Sequence, residues 1–179
     1  MSEKEYFDRE DIDLTKYNAK FERVDKWRKA QIPLGAEINA KFRKYIVFDS
    51  GIYQRILGLE LSDLLLKSDF DSINKGSIAE LFVGLELMKV SDKRNELYYW
   101  QRESKNSQAE VDYLVQKNTR ILPIEVKSGT KGSMQSLFLF LNEKKIETGI
   151  RISQENFSKY DKIKVFPIYA VANILSIKE

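Results

Sequence analysis

A chain without histidine or cysteine must draw any acid-base or metal chemistry from Asp, Glu and Lys. That inventory excludes thiolate zinc sites, disulfide scaffolds, Cys/His nucleophile pairs and Ser-His-Asp triads. The residues with the spacing for chemistry lie in two apolar strings, Val111-Asp112-Tyr113-Leu114-Val115 and Ile121-Leu122-Pro123-Ile124-Glu125-Val126-Lys127. Both read as strands, joined by a turn centred on Asn118-Thr119. A turn of two or four residues sets Asp112 opposite Glu125 and Glu110 opposite Lys127. Strict alternation then gives Val111, Tyr113, Val115, Leu122, Ile124 and Val126 one face, and Glu110, Asp112, Glu125 and Lys127 the other. A one-residue slip would shift the cross-strand matches.

Facing carboxylates repel unless positive charge lies between them, and Lys127 compensates only part. Mg²⁺ or Mn²⁺ suits such a site, because Asp112, Glu125, the Val126 backbone carbonyl and water all offer hard oxygen donors. The expected chemistry is metal-assisted phosphodiester hydrolysis, with Lys127 as the cation beside the nucleophile. A further carboxylate, Glu80, falls in Ser77-Ile78-Ala79-Glu80-Leu81-Phe82 on a helix face of small and apolar residues. A charge there needs a partner, which a metal or its water supplies. Gly76 and Gly84, one turn to either side, allow that helix to approach the sheet. Glu110 reads as a partner of Lys127 rather than a ligand.

The elements that must position these residues follow from periodicity. Residues 1–18 form an acidic arm. Residues 19–70 read as a mainly helical portion: a helix over Ala19 to Ala30, a break at Ile32-Pro33-Leu34-Gly35, a β-prone Tyr45-Ile46-Val47-Phe48, a helical segment from Ile52 ended by Gly58, and a helical piece over Leu61 to Leu66. Residues 71–179 hold the catalytic unit. It comprises a buried helix from Ile73 to Lys89, a meander of three strands beginning at Leu97-Tyr98-Tyr99-Trp100, a helix over Ser133 to Lys145, and strands at Gly149–Ile152 and Lys164–Phe166. The class is α/β, a mixed sheet flanked by helices.

Glu80, Asp112 and Glu125-Val126-Lys127, in that order of elements, resemble the PD-(D/E)XK nuclease superfamily. The strings KGSIAELFVGLEL, LYYWQRESKNSQAEVDYLV and ILPIEVKSG are similar to the C-terminal nuclease-like domain of a group of prokaryotic AAA-type ATPases, and FRKYIVFDSGIYQRILGL to the region preceding it. The resemblance spans roughly Ile32 to Ala170. It implies a restriction-endonuclease-like fold with an N-terminal helical portion, Asp112, Glu125 and Lys127 as metal-binding and catalytic residues, Glu80 as accessory acid, and DNA as substrate. It also implies an ATPase domain or further copies of the chain as partners. No G-x-x-x-x-G-K-[ST] occurs, and Gly129-Thr130-Lys131-Gly132-Ser133 lacks the required order, so the ATPase part itself is absent.

Composition sets the remaining bounds. The chain has 179 residues, 42% hydrophobic and 32% charged, with net charge +3, which fits one globular unit and is compatible with a nucleic-acid partner without requiring one. No apolar run approaches the roughly 20 residues of a membrane helix, and a polar stretch follows Met1, so a cytoplasmic, non-membrane protein is expected. Tyr98, Tyr99 and Trp100 have the chemistry to stack on bases, yet such residues on a strand more often enter the core. Lys93, Arg94, Arg102, Lys105, Lys131, Lys144 and Lys145 are candidate phosphate contacts, and Gln135 a candidate polar helper. The competing reading is a non-catalytic DNA-binding or assembly module of an ATPase system, with the acids kept as a structural charge cluster.

Overall fold

The computed structural model describes residues 21–27, 38–56, 72–90, 97–102, 108–118, 120–130 and 132–175. The acidic arm, the Ile32–Gly35 break, Gly58 and the Leu61 to Leu66 piece lie outside them. Eight strands form one mixed sheet: β1 (Phe21–Trp27), β2 (Ile38–Val47), β3 (Tyr98–Gln101), β4 (Glu110–Lys117), β5 (Arg120–Val126), β6 (Gly149–Ser153), β7 (Ser158–Tyr160) and β8 (Ile163–Pro167). Their spatial order is β2-β1-β3-β4-β5-β6-β8-β7. Three α-helices, α1 (Ser50–Ile56), α2 (Ser72–Val90) and α3 (Gln135–Lys144), and a 3₁₀ helix (Ile168–Asn173) complete the described residues.

The α/β class and the mixed sheet agree with expectation, whereas the helix expected over Ala19 to Ala30 is instead the strand β1. Its apolar residues recur at helical spacing, but the segment pairs antiparallel with β2 along one edge and parallel with β3 along the other. Ladders on both sides satisfy the backbone and override a weak local preference. The β-prone run at Tyr45–Phe48 is, through Val47, the end of the ten-residue strand β2, as expected. The portion taken as a helical lead-in therefore contributes two strands to the same sheet. Asp49 caps α1: its Oδ1 accepts from the Ile52 N–H at 2.9 Å, and its carbonyl accepts from the Tyr53 N–H at 3.0 Å. A short acceptor side chain at this position satisfies an N–H that has no partner within the helix.

The β3-β4-β5 meander is antiparallel, and the β4–β5 register is the expected one, running from Tyr113↔Ile124 to Lys117↔Arg120. Asn118 in the turn has φ 55°, a left-handed conformation that Asn tolerates. α3 carries the chain from β5 across to β6, which pairs parallel with both β5 and β8.

One core lies on the α2 side of the sheet and gathers Leu81, Val83, Leu87, Tyr113, Val115, Ile124, Val126, Ile150 and Ile152. The other lies on the α3 side, with Leu114, Val111, Leu137, Phe140 and Leu141, and there Trp100 meets Phe140 edge to face at 5.2 Å. Val111 was expected beside Tyr113 but packs on the opposite side. The cause is an irregularity in the β3–β4 ladder between Tyr98 and Trp100. The extra residue it introduces moves the alternation of β4 on by one upstream of Tyr113.

Gly84 lets α2 lie close to the sheet. A Cβ there would stand 2.6 Å from the Tyr113 hydroxyl and 2.8 Å from Ile46 Cδ1. Gly76, expected to serve the same purpose, has nothing within 4 Å of its Cβ position. Gly84→Ala is therefore expected to destabilise the protein by about 1–3 kcal/mol through overpacking, while Gly76→Ala is neutral or stabilising by up to ~1 kcal/mol through helix propensity. Urea denaturation of the two variants checks the contrast.

Candidate functional site

The regular β4–β5 ladder stops at Tyr113↔Ile124. One step further the Val126 N–H donates to Asp112 Oδ2, at 2.7 Å, and beyond that the Lys127 N–H donates to the Ile152 carbonyl of β6, at 2.8 Å. Strand β5 thus parts from β4 at the residues singled out as catalytic while keeping the pairing with β6 that begins at Ile124. Glu110 and Lys127 do not face each other as expected, because β5 ends at Val126.

The shifted alternation of β4 brings Glu110 and Asp112 to Glu80 on α2. One carboxylate oxygen from each of the three lies within 4.8 Å of the other two. Glu80 is placed by α2, whose Glu80 carbonyl accepts the Tyr113 hydroxyl at 2.9 Å. Burial, and then the carboxylates of Glu80, Asp112 and Glu110, push the Tyr113 phenol well above its ordinary pKa, so this hydroxyl stays protonated and can serve as a donor.

Glu125 stands beside this group and is 5% exposed. Its Oε1 accepts from Lys127 Nζ at 2.6 Å, while Oε2 is buried without a hydrogen-bond partner. Burial raises the Glu125 pKa against the pull of Lys127, and Glu110 and Glu80 add to the rise. Asp112 is raised further above the carboxylate range, by burial first and then by Glu125 and Glu80, with Lys44 and the Val126 N–H opposing.

One participant was missed in the sequence. Lys44, on β2, pairs with Glu80 at 3.0 Å and with Glu110, and its ammonium lies 5.1 Å from the centre of the Tyr99 ring. Burial alone would lower its pKa, yet Glu80, Glu110 and Asp112 hold it well above the usual lysine value. Glu110, read as a partner of Lys127, belongs instead with Lys44. The available signal for Lys44 was alternation in the strand-like run Phe42 to Phe48, which puts Lys44 on the face of Ile46 and its neighbour Arg43 on the other. If all four acids are ionised, Lys44 and Lys127 leave two negative charges uncompensated. An open pocket of about 220 Å³ adjoins the group, with Lys44, Tyr45, Tyr53, Ser77, Glu80 and Tyr113 in its lining.

Of the other candidates, Tyr99 is buried in the core on the α2 side and meets the site only through the ring face beside Lys44. Tyr98 and Trp100 are buried in the core on the α3 side. Arg102 pairs with Glu143 at 2.7 Å. Gln135 is exposed at the start of α3. Lys144 and Lys145 close that helix, and Lys93, Arg94, Lys105 and Lys131 lie outside the described residues.

The raised carboxyls make a prediction about stability. A folded state that retains protons already lost by the unfolded chain loses stability as pH rises from the ordinary carboxylate value of ~4 through the elevated folded values. Asp112→Asn and Glu125→Gln keep an oxygen acceptor for Val126 N–H and Lys127 but carry no charge. Each is expected to be more stable than the parent at neutral pH by on the order of 1 kcal/mol, with the advantage shrinking as pH falls toward ~4. Thermal melts between pH 4 and 8 measure it.

No curated protein and no solved structure matches the chain. No helix among the described residues is long and apolar enough to cross a membrane. A family model does match, over residues 75–171, a span that runs from α2 into the 3₁₀ helix and holds every residue of the site except Lys44. By that match, which covers more than half of the chain, the protein belongs to the family described as Domain of unknown function (DUF4143).

Proposed function

We propose that the protein is a divalent-cation-dependent nuclease acting on DNA, with Asp112, Glu80 and Glu110 as the principal carboxylates, Glu125 beside them and Lys127 as the catalytic cation. The observation that carries this reading is the meeting of a three-carboxylate cluster with a buried, unpartnered Glu125 Oε2. Negative charge and an orphaned acceptor fit Mg²⁺ or Mn²⁺, for which carboxylates, the Val126 carbonyl and water are suitable donors. A bound cation would lower the pKa of a coordinated water and polarise the phosphate.

The chain's own residues account for the remaining functions. Asp112 fixes the parting of β4 and β5 through the Val126 N–H. Glu125 holds the Lys127 ammonium, which places a proton donor and positive charge where an attacking water or a phosphate oxygen would be steadied. Lys44 offers a second positive charge to a phosphodiester. The resemblance to the PD-(D/E)XK superfamily and to the C-terminal part of AAA-type ATPases supports the same assignment, with a restriction-endonuclease-like fold, a cytoplasmic setting, and an ATPase domain or further copies of the chain as partners.

A second reading is favoured by one observation: Lys44 already bridges Glu80 and Glu110. On that reading the acids are a structural ion-pair cluster in a DNA-binding or assembly module. Labelled single-stranded, duplex and branched DNA incubated with Mg²⁺ or Mn²⁺ separates the two. The nuclease reading expects metal-dependent cutting by the parent, reduced by about 100-fold or more in Asp112→Ala and Lys127→Ala. An inert parent, or variants that cut equally well, leaves the structural cluster.

A further inference from the structure

We propose that Arg151 is the positioning residue for Lys127, acting through the loop between β5 and α3. Arg151 lies on β6 directly across from Glu125 in the parallel ladder and is only 3% exposed. Its Nη2 donates to the Thr130 carbonyl at 2.9 Å and its Nη1 to the Gly132 carbonyl at 3.3 Å. Glu155, four residues further on, pairs with Nη2 at 3.0 Å. The guanidinium is thus a fork gripping two carbonyls of the loop that follows the catalytic strand.

That loop bears on Lys127. Gly132 has φ 135°, a conformation open to glycine and strained for other residues. A Cβ built on it would meet the Lys127 side chain at 3.1 Å from Cδ, 3.4 Å from Cγ and 3.6 Å from Cε. The backbone at Gly132 therefore closes over the aliphatic stem of Lys127, and the ammonium at its end is directed onto Glu125 Oε1. A long, flexible lysine loses much rotamer freedom when held this way, and a packed stem supplies the constraint that one ion pair does not.

Arg151 is a poor choice for stability alone. Its Nε is buried without a hydrogen-bond partner, and replacing a buried ion pair by an apolar residue of similar volume is often neutral or stabilising. What its burial secures is the placing of the Thr130 and Gly132 carbonyls. The catalytic importance of Lys127 rests on the nuclease reading; the seating of its side chain does not.

The test is the reactivity of the Lys127 amine toward reductive methylation, followed by peptide mass spectrometry in the full chain, with exposed Lys159 as internal reference. In the parent, Lys127 is expected to react more slowly than Lys159. Arg151→Met and Gly132→Ala, which release the loop from opposite ends, are expected to raise the Lys127 rate about fivefold or more at unchanged Lys159 rate, with Arg151→Lys partly restoring protection. If Arg151→Met does not fold, Gly132→Ala and Glu155→Gln carry the test. A folded variant with a lowered melting temperature but an unchanged Lys127 to Lys159 ratio assigns Arg151 a structural role only and overturns the inference. The cleavage assay is read separately: an inert parent removes the nuclease reading and leaves the amine reactivity to decide the positioning.

Discussion

The hydrogen bond from the Val126 N–H to the Asp112 carboxylate is the contact on which the site depends. A hairpin would ordinarily satisfy that N–H from the backbone of its partner strand; here a side chain does so, and the ladder ends. A backbone donor must be satisfied somewhere, so Asp112 is held in place even though burial and neighbouring acids make its charge costly. The strand freed from β4 stays on β6, to which it is paired from Ile124 and which it follows as far as the bond from the Lys127 N–H to the Ile152 carbonyl. The separation of β4 from β5 and the placing of the acids are one event in the backbone.

Around this point the structure concentrates charge that its cores would otherwise exclude. Glu80, Glu110 and Asp112 approach from α2 and β4, Glu125 from β5, and the cations Lys44 and Lys127 answer them from β2 and from the end of β5. The balance remains negative, and the carboxyl groups of Asp112 and Glu125 respond by holding protons more tightly. Two rigid features keep the arrangement from spreading: Gly84 admits the sheet close under α2, and Tyr113 ties its hydroxyl to the Glu80 carbonyl.

Much of this was legible in the sequence, and the reasons for the rest are physical. The β4–β5 register followed from alternation and turn length, which are local, so Asp112 and Glu125 could be brought together on paper. The helix bearing Glu80 was long and strongly apolar, a signal that survives without tertiary context. Strand β1 was misread because its seven residues show apolar positions at helical spacing, while its pairing with β3 joins Asp25 to Tyr98, a relation that no local pattern encodes. The shift of alternation in β4 was equally hidden, since a ladder irregularity arises between strands and leaves no mark within one. Lys44 and the true partner of Glu110 were lost with those two features.

The separations along the chain give the site a history as well as a geometry. Asp112 and Glu125 are joined by a tight turn, whereas Lys44 reaches them only when β1, more than seventy residues upstream, has paired with β3. Loop-closure entropy makes the first contact inexpensive and the second slow to form. During folding the acids of β4 and β5 are therefore neighbours before their lysine from β2 arrives; in the interval Lys127 answers Glu125 alone, and protons or dissolved cations screen the rest. The assembly of this centre is thereby tied to the ionic composition of the solution in which the chain folds.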